Sequence, residues 1–171
     1  MKLSSKGRYA AMAMVDLAFH LRADPATGKV APISLADIAE RQEISLSYLE
    51  QLFGRLRRSG LVKSVRGPGG GYLLARAAEQ IRVADVILAV DEPIKATRCR
   101  QGSAKGCLGK SGRCLTHDLW EELGHQIHLY LNAVSLADVC HRRVWLSGWA
   151  PGPERAARAD VLVAAEPVAA Q

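Results

Sequence analysis

Cys99, Cys107, Cys114 and His117 fall within 19 residues, spaced C-x7-C-x6-C-x2-H. Three thiols and an imidazole are soft to borderline donors. Such a set holds Zn²⁺ tetrahedrally or completes the coordination of a [2Fe–2S] centre, and spacing alone leaves both open. Gly102, Gly106, Gly109 and Gly112 lie between or beside these residues. A segment this rich in Gly and Lys carries too little apolar side chain to pack a core of its own. A bound metal is the expected source of its order. The fourth cysteine, Cys140, lies on an amphipathic stretch beyond the loop and reads as a small buried apolar residue rather than a ligand. His20, His125, His128 and His141 read as surface or dimer-interface residues with no assigned function.

The elements that must position this loop are legible upstream. Ala10, Met14, Leu17 and Leu21 recur at helical spacing, which predicts a helix from Lys6 to about Arg22. Asp24-Pro25 and Thr27-Gly28 interrupt it. Ser34-x-x-Asp37 resembles a capping box opening a short helix, with Leu35, Ile38 and Ala39 inward. After a short turn at Glu43-Ile44, Ser45 is expected to cap a second helix running to about Ser59, stopped by Gly60. Leu46, Leu49, Leu52, Phe53 and Leu56 share the face expected to bury. Ser47, Gln51, Gly54 and Arg58 share the opposite face, flanked by Glu50 and Arg57. A short helix, a tight turn and a longer helix with a polar outer face make a helix-turn-helix.

Leu61–Arg66 and Tyr72–Arg76 read as strands joined by Gly67-Pro68-Gly69-Gly70-Gly71, a turn that needs glycine. A basic hairpin directly after a helix-turn-helix is a wing. The glycine run is not a Walker motif, because no Lys-Ser/Thr follows and no helix opens directly after it. Val83–Val90 reads as a short amphipathic helix. Beyond the ligand loop, Leu119, Trp120, Leu123, Ile127, Leu131 and Val134 form a stripe on a helix from His117 to about Asn132. So long an apolar stripe needs a partner element, and few remain unassigned, so it is expected to dimerise. Ser135 caps a last short helix, and from Trp149 on the Ala/Pro-rich chain reads as a mobile tail.

The chain has 171 residues, 49% of them hydrophobic, and a formal net charge of +6. Residues 1–98 hold a net +5 of that charge, a bias towards polyanionic partners. No apolar run approaches the ~18 residues of a membrane span. The Met1–Arg8 start lacks the apolar core of a signal peptide. A cytoplasmic protein with no membrane partner is expected, and there clustered cysteines point to metal or redox chemistry rather than disulfides. No hydrolytic motif and no acid–base set near the cysteines can be identified, so the chain is not expected to be an enzyme.

Four blocks carry a resemblance: Leu3-x-Ser5-Lys6-Gly7-Arg8-Tyr9-Ala10, Ser45-Leu46-Ser47-Tyr48-Leu49-Glu50-Gln51-Leu52-Phe53, Val65-Arg66-Gly67-Pro68-Gly69-Gly70-Gly71-Tyr72 and Cys114-Leu115-Thr116-His117. In order, over roughly residues 1–140, the chain resembles the Rrf-type winged helix-turn-helix transcription regulators, in particular those that respond to iron–sulfur clusters. The resemblance implies a mainly α fold with a small β wing. It implies a winged helix-turn-helix domain over 1–91, a cluster-binding loop over 92–118, a dimerisation helix and short terminal helix over 119–146, and leaves a disordered tail over 147–171. It further implies a homodimer on palindromic double-stranded promoter DNA, governing iron–sulfur biogenesis genes. One [2Fe–2S] cluster per subunit would sit on Cys99, Cys107, Cys114 and His117, with the cluster assembly machinery as donor. Nitric-oxide-sensing relatives share the cysteines but lack the histidine and the Ser-Tyr-Leu-Glu-Gln block. Two departures stand out: the ligand loop is longer between cysteines than in the best-known members, and Glu43 stands where Gly is common. If the backbone there has φ > 0, Glu costs ~1 kcal/mol or somewhat more. A structural zinc in the same Cys3His set is the alternative reading.

A neutral imidazole in place of a fourth thiolate removes one negative charge, which should raise the cluster potential and weaken the site, as suits a sensor of cluster supply. On the DNA face, Ser47 and Gln51 lie where base edges are reached, within the Ser45–Gln51 block that includes Tyr48. Glu50 can accept from a cytosine amino group but is repelled by phosphates; the resemblance implies that it helps choose the promoter class. Arg66 opens the wing and suits a narrow minor groove. Lys6, Arg8, Arg57, Arg58 and Lys63 are expected on phosphates, which position without specifying.

Overall fold

The computed structural model describes residues 5–23, 28–91 and 112–144. Cys99, Cys107 and the expected tail over 147–171 lie outside the described residues.

Helix α1 (Ser5–His20) places Ala10, Ala13, Met14 and Leu17 in the core, one apolar stripe at 3.6-residue period. Helix α2 (Leu35–Gln42) begins where the Ser34 hydroxyl accepts the Asp37 N–H at 3.1 Å, satisfying a donor the helix leaves open. It ends at Glu43 in the left-handed region, φ 53° and ψ 42°. The Ile44 N–H turns back onto the Ala39 carbonyl at 3.1 Å. That turn aims helix α3 (Leu46–Arg58) across α2 and buries Leu49, Leu52, Phe53 and Leu56 against α1 and α2. Two local expectations are corrected. Leu46 is 42% exposed, because side chains lean towards a helix's N-terminus and the first residue overhangs the edge of the core. Ser45 occupies the cap position, but its hydroxyl bonds the Ser47 hydroxyl at 2.9 Å instead of a helix N–H.

The wing is an antiparallel pair, β1 (Val62–Val65) and β2 (Gly71–Leu74), with Val62 opposite Leu74 and Val65 opposite Gly71. Ile33 joins the far side of β2, exchanging both backbone bonds with Tyr72 at 3.0 and 2.7 Å. The wing is thereby tied to the residue just before the α2 cap. Gly71 makes this possible, since a Cβ there would lie 2.3 Å from the Ile33 carbonyl oxygen. Gly67, at φ 106°, supplies the turn. The Phe53 and Tyr72 rings meet edge to face at 4.9 Å, fixing β2 on α3.

A single 3₁₀ turn (Ala78–Gln80) leads to helix α4 (Val83–Ala89), which packs on α1. Helix α5 (His117–Ala133) comes next among the described residues, and α6 (Leu136–Cys140) returns to α1. The return is pinned by two backbone bonds, Val83 N–H to the Val134 carbonyl at 2.9 Å and Leu136 N–H to the Ile81 carbonyl at 3.0 Å. Leu136 is fully buried in the same core as α1 and α3. Among the described residues the architecture is mainly helical with one small two-stranded sheet. Among the described residues no helix is long and apolar enough to cross a membrane.

Candidate nucleic-acid interface and cluster ligands

Among the described residues, nothing packs on the outer surface of α3 at its polar positions. Ser47, Glu50, Gln51, Arg57 and Arg58 are exposed, while the opposite face of the same helix is buried. Tyr48 differs from its neighbours: half-buried, it meets the Tyr9 ring edge to face at 6.1 Å. Its ring therefore fixes α3 against the start of α1, close to Lys6 and Arg8 in sequence. Lys6 is half-buried and Arg8 exposed, and Ser45, Lys63 and Arg66 are exposed. Arg57 reaches the Ser64 hydroxyl on β1 at 3.4 Å, linking the end of α3 to the wing. Helix α3 and the wing thus form one polar surface rich in arginine.

Sequence reasoning missed what holds this helix-turn-helix on α1. Asp16, 4% exposed, lies among the apolar positions of α1. Its carboxylate accepts from Arg41 Nη2 at 2.6 Å and Nε at 3.1 and 3.2 Å, and from Gln42 Nε2 at 2.7 Å. His20 Nδ1 approaches the Asp16 carbonyl oxygen at 2.9 Å. Burial alone would raise the Asp16 carboxyl. The hydrogen bonds from Arg41 and Gln42, with the charges of Arg41 and His20, outweigh it and hold the group below the usual carboxylate range. The Arg41 guanidinium is raised in turn, chiefly by its hydrogen bonds to Asp16. The available signal was the position of Asp16: an acid on a buried helical stripe demands a cationic partner.

Cys114 and His117 are brought together at the start of α5. The His117 N–H bonds the Cys114 carbonyl at 3.0 Å, closing one turn that carries both side chains. Cys114 is half-buried and is not in a disulfide; His117 is 7% exposed. His117 Nε2 lies 3.5 Å from Glu121 Oε2, one helical turn on. A thiol and a buried imidazole on one short turn fit adjacent ligation of a metal centre. Cys140, half-buried, directs its Sγ to the Val15 carbonyl at 3.7 Å, and burial pushes the thiol up. That is the environment of an inert packed cysteine.

Along α5, Leu119, Trp120 and Leu123 are 63, 45 and 40% exposed. Ile127 and Leu131 are half-buried, and only Val134 at the end of the stripe is buried. Among the described residues, the amino-terminal half of the stripe is therefore not a core face. Isolated exposed leucines need no explanation, but here they form a run with a tryptophan along one helix.

A buried three-helix core, a helix-turn-helix with a polar outer helix and a hairpin wing define a winged-helix DNA-binding protein. The family model described as "Rrf2: Iron-dependent Transcriptional regulator" matches residues 3–142, and the chain belongs to that family. The HTH-type transcriptional regulator IscR of Photorhabdus laumondii is 54% identical over 143 residues, covering 84% of this chain and 81% of that protein. The solved structure described as "T. potens IscR" is 35% identical with a TM-score of 0.62, covering 91% of this chain and 96% of that one. CymR, the global cysteine regulator of B. subtilis, is 30% identical with a TM-score of 0.65, covering 83% and 98% of the two chains. The chain is a transcriptional regulator of the IscR type and not an enzyme.

Proposed function

We propose that this regulator reads promoter DNA with α3 and the wing, and that an iron–sulfur cluster held beside α5 governs which promoters it accepts. The observation that carries the DNA reading is the division of α3. Leu49, Leu52, Phe53 and Leu56 on its apolar face are buried, while Ser47, Glu50 and Gln51 stand exposed on a helix positioned by Asp16, Arg41 and Tyr48. Ser47, Glu50 and Gln51 contact base edges. Lys6, Arg8, Ser45, Arg57, Arg58 and Lys63 contact the backbone, and Arg66 enters the minor groove. Tyr48 acts from behind, by holding α3.

The ligands are Cys99, Cys107, Cys114 and His117, and the group is a [2Fe–2S] cluster. Support comes from the donor set, from the Cys114–His117 turn and from membership of an iron-dependent family. When bound, the cluster supplies a covalent tie across the ligand segment and a redox-active group whose occupancy reports cluster supply. His117, as the first residue of α5, joins that segment directly to the helix. The exposed stripe Leu119, Trp120, Leu123 pairs with a second copy, giving a homodimer that matches palindromic sites spaced by a helical turn. Regulation of iron–sulfur biogenesis genes, and loading by the assembly machinery, follow from that role in a cytoplasmic protein.

The test is anaerobic purification followed by visible absorption and iron and sulfide analysis. The expected protein is brown, its colour lost in Cys99→Ala and His117→Ala and kept in Cys140→Ala. A colourless protein holding zinc, or a colour that survives loss of Cys99 but not of Cys140, contradicts the assignment.

A further inference from the structure

His117 is not alone at the start of α5. Side chains on a helix lean towards its N-terminus, so a residue at i+4 reaches back over residue i. Glu121 does this: its Oε2 lies 3.5 Å from His117 Nε2, with His117 nearly enclosed and Glu121 open to solvent. The Asp118 carboxylate also lies within 4.8 Å of the His117 and Glu121 ligand atoms, but it and Glu122 each have another partner. Asp118 faces Arg113 at 3.6 Å, and Glu122 accepts from Gln126 Nε2 at 2.6 Å. Histidines that bind metals present one nitrogen to the metal while the other donates to a carboxylate, carbonyl or water. That outer contact sets the tautomer, fixes the ring and makes the imidazole a better donor.

We propose that Glu121 is a positioning residue for His117: its carboxylate holds the Nε2–H, so that the imidazole offers Nδ1 as its ligand atom. This rests on the reading of His117 as a cluster ligand. The histidine is the weakest donor of the four, being neutral and readily displaced. Whatever secures the ring therefore sets how long the cluster stays and at what potential it works. A full negative charge 3.5 Å from the His117 ring also favours the oxidised cluster and lowers the potential. Glu121 thus tunes the threshold at which the regulator gains or loses its cluster.

The experiment compares wild type with Glu121→Ala, Glu121→Gln and Glu122→Ala, all purified anaerobically as full chains. Glu122→Ala removes the same charge from the neighbouring position without touching His117. Three readouts are taken: the visible spectrum, the rate of cluster loss to a chelator, and the midpoint potential. In Glu121→Ala cluster loss should quicken about 10- to 100-fold, the range for losing an outer partner of a metal ligand. The potential should move positive. Glu121→Gln keeps a carbonyl oxygen to accept from Nε2–H, so it should recover most of the lifetime while retaining the positive shift. Glu122→Ala should resemble wild type in both. A coloured wild type whose lifetime and potential are the same in Glu121→Ala overturns the role of Glu121 alone. Equal effects of Glu121→Ala and Glu122→Ala overturn it too, by showing only diffuse charge. A colourless wild type overturns the ligand assignment beneath it. If Glu121→Ala lowers the melting temperature of the cluster-free protein but leaves the potential unmoved, the contact is only a helix-stabilising pair and the proposal fails.

Discussion

Removing the Asp16 carboxylate should unfasten the helix-turn-helix from α1. Asp16 is nearly inaccessible and accepts short bonds from Arg41 and Gln42, while the Arg41 side chain is 33% exposed. Deleting one partner of a buried ion pair costs about 3–5 kcal/mol, because the remaining charge is left uncompensated. Arg41 can turn partly to water, so the expected loss for Asp16→Ala lies at the lower end, about 3 kcal/mol. Asp16→Asn keeps one acceptor and should lose about 2 kcal/mol, close to one charge-assisted bond. The pH dependence has a definite sign. The folded Asp16 carboxyl lies below its ordinary value, so its contribution is complete above the unfolded pKa of about 3.9. It fades as pH falls through the lower folded value. Urea unfolding at pH 7 and at successively lower pH measures this. The gap between wild type and Asp16→Asn should be widest near neutrality and narrow below about pH 4. The paired change Asp16→Leu with Arg41→Met should recover much of the loss, since apolar side chains can replace a buried pair. A gap under about 1 kcal/mol at pH 7, typical of an exposed pair, or one that persists undiminished into acid, would show that the network does not hold these helices.

Other perturbations follow from single features. Glu43 sits at φ 53°, so Glu43→Gly should raise stability by about 1 kcal/mol, seen as a higher urea midpoint with an unchanged slope. Replacing both Trp120 and Leu123 with Glu should leave far-ultraviolet circular dichroism intact while halving the mass in sedimentation equilibrium; an unchanged mass removes α5 from the dimer contact. Lys63→Ala should weaken binding to all promoter sites alike and reduce the slope of log K against log salt by about 0.9, one phosphate's share; a change in sequence preference instead would reassign Lys63 to base reading. Glu50→Ala should let the cluster-free protein bind sites that otherwise need the cluster, by about 1–3 kcal/mol, and an unchanged ratio between promoter classes returns Glu50 to a solvated helix face.

What was legible depended on how local the physics is. Helices α1 to α3 follow from apolar periodicity and from Ser34, whose cap bond forms as its spacing to Asp37 indicates. The wing follows from glycines that only a tight turn accommodates. The strain foreseen at Glu43 is present, because a two-helix turn this short needs a left-handed residue wherever the chain reverses. Longer-range features were not legible. The partner of Asp16 lies 25 residues away at Arg41, and nothing in either local pattern joins them. The pairing of Ile33 with Tyr72 depends on the wing folding back over the α2 cap. Leu46 matched the inward stripe by spacing, yet the core ends before it. Of the four expected ligands, Cys114 and His117 are brought onto one turn; Cys99 and Cys107 lie outside the described residues.

The decisive measurement is the affinity of cluster-free and cluster-bound protein for a panel of promoter duplexes, by fluorescence anisotropy at one fixed salt concentration. Both forms carry the same α3 and wing, so both should bind DNA with strong salt dependence. The cluster should shift affinities unequally, so that at least one promoter class changes rank by tenfold or more, about 1.4 kcal/mol. His117→Ala, which keeps the DNA surface and removes a proposed ligand, should reproduce the cluster-free ranking. Identical relative affinities in the two forms across the panel would contradict a cluster-controlled choice of promoter and leave only a DNA-binding protein with an unrelated metal site.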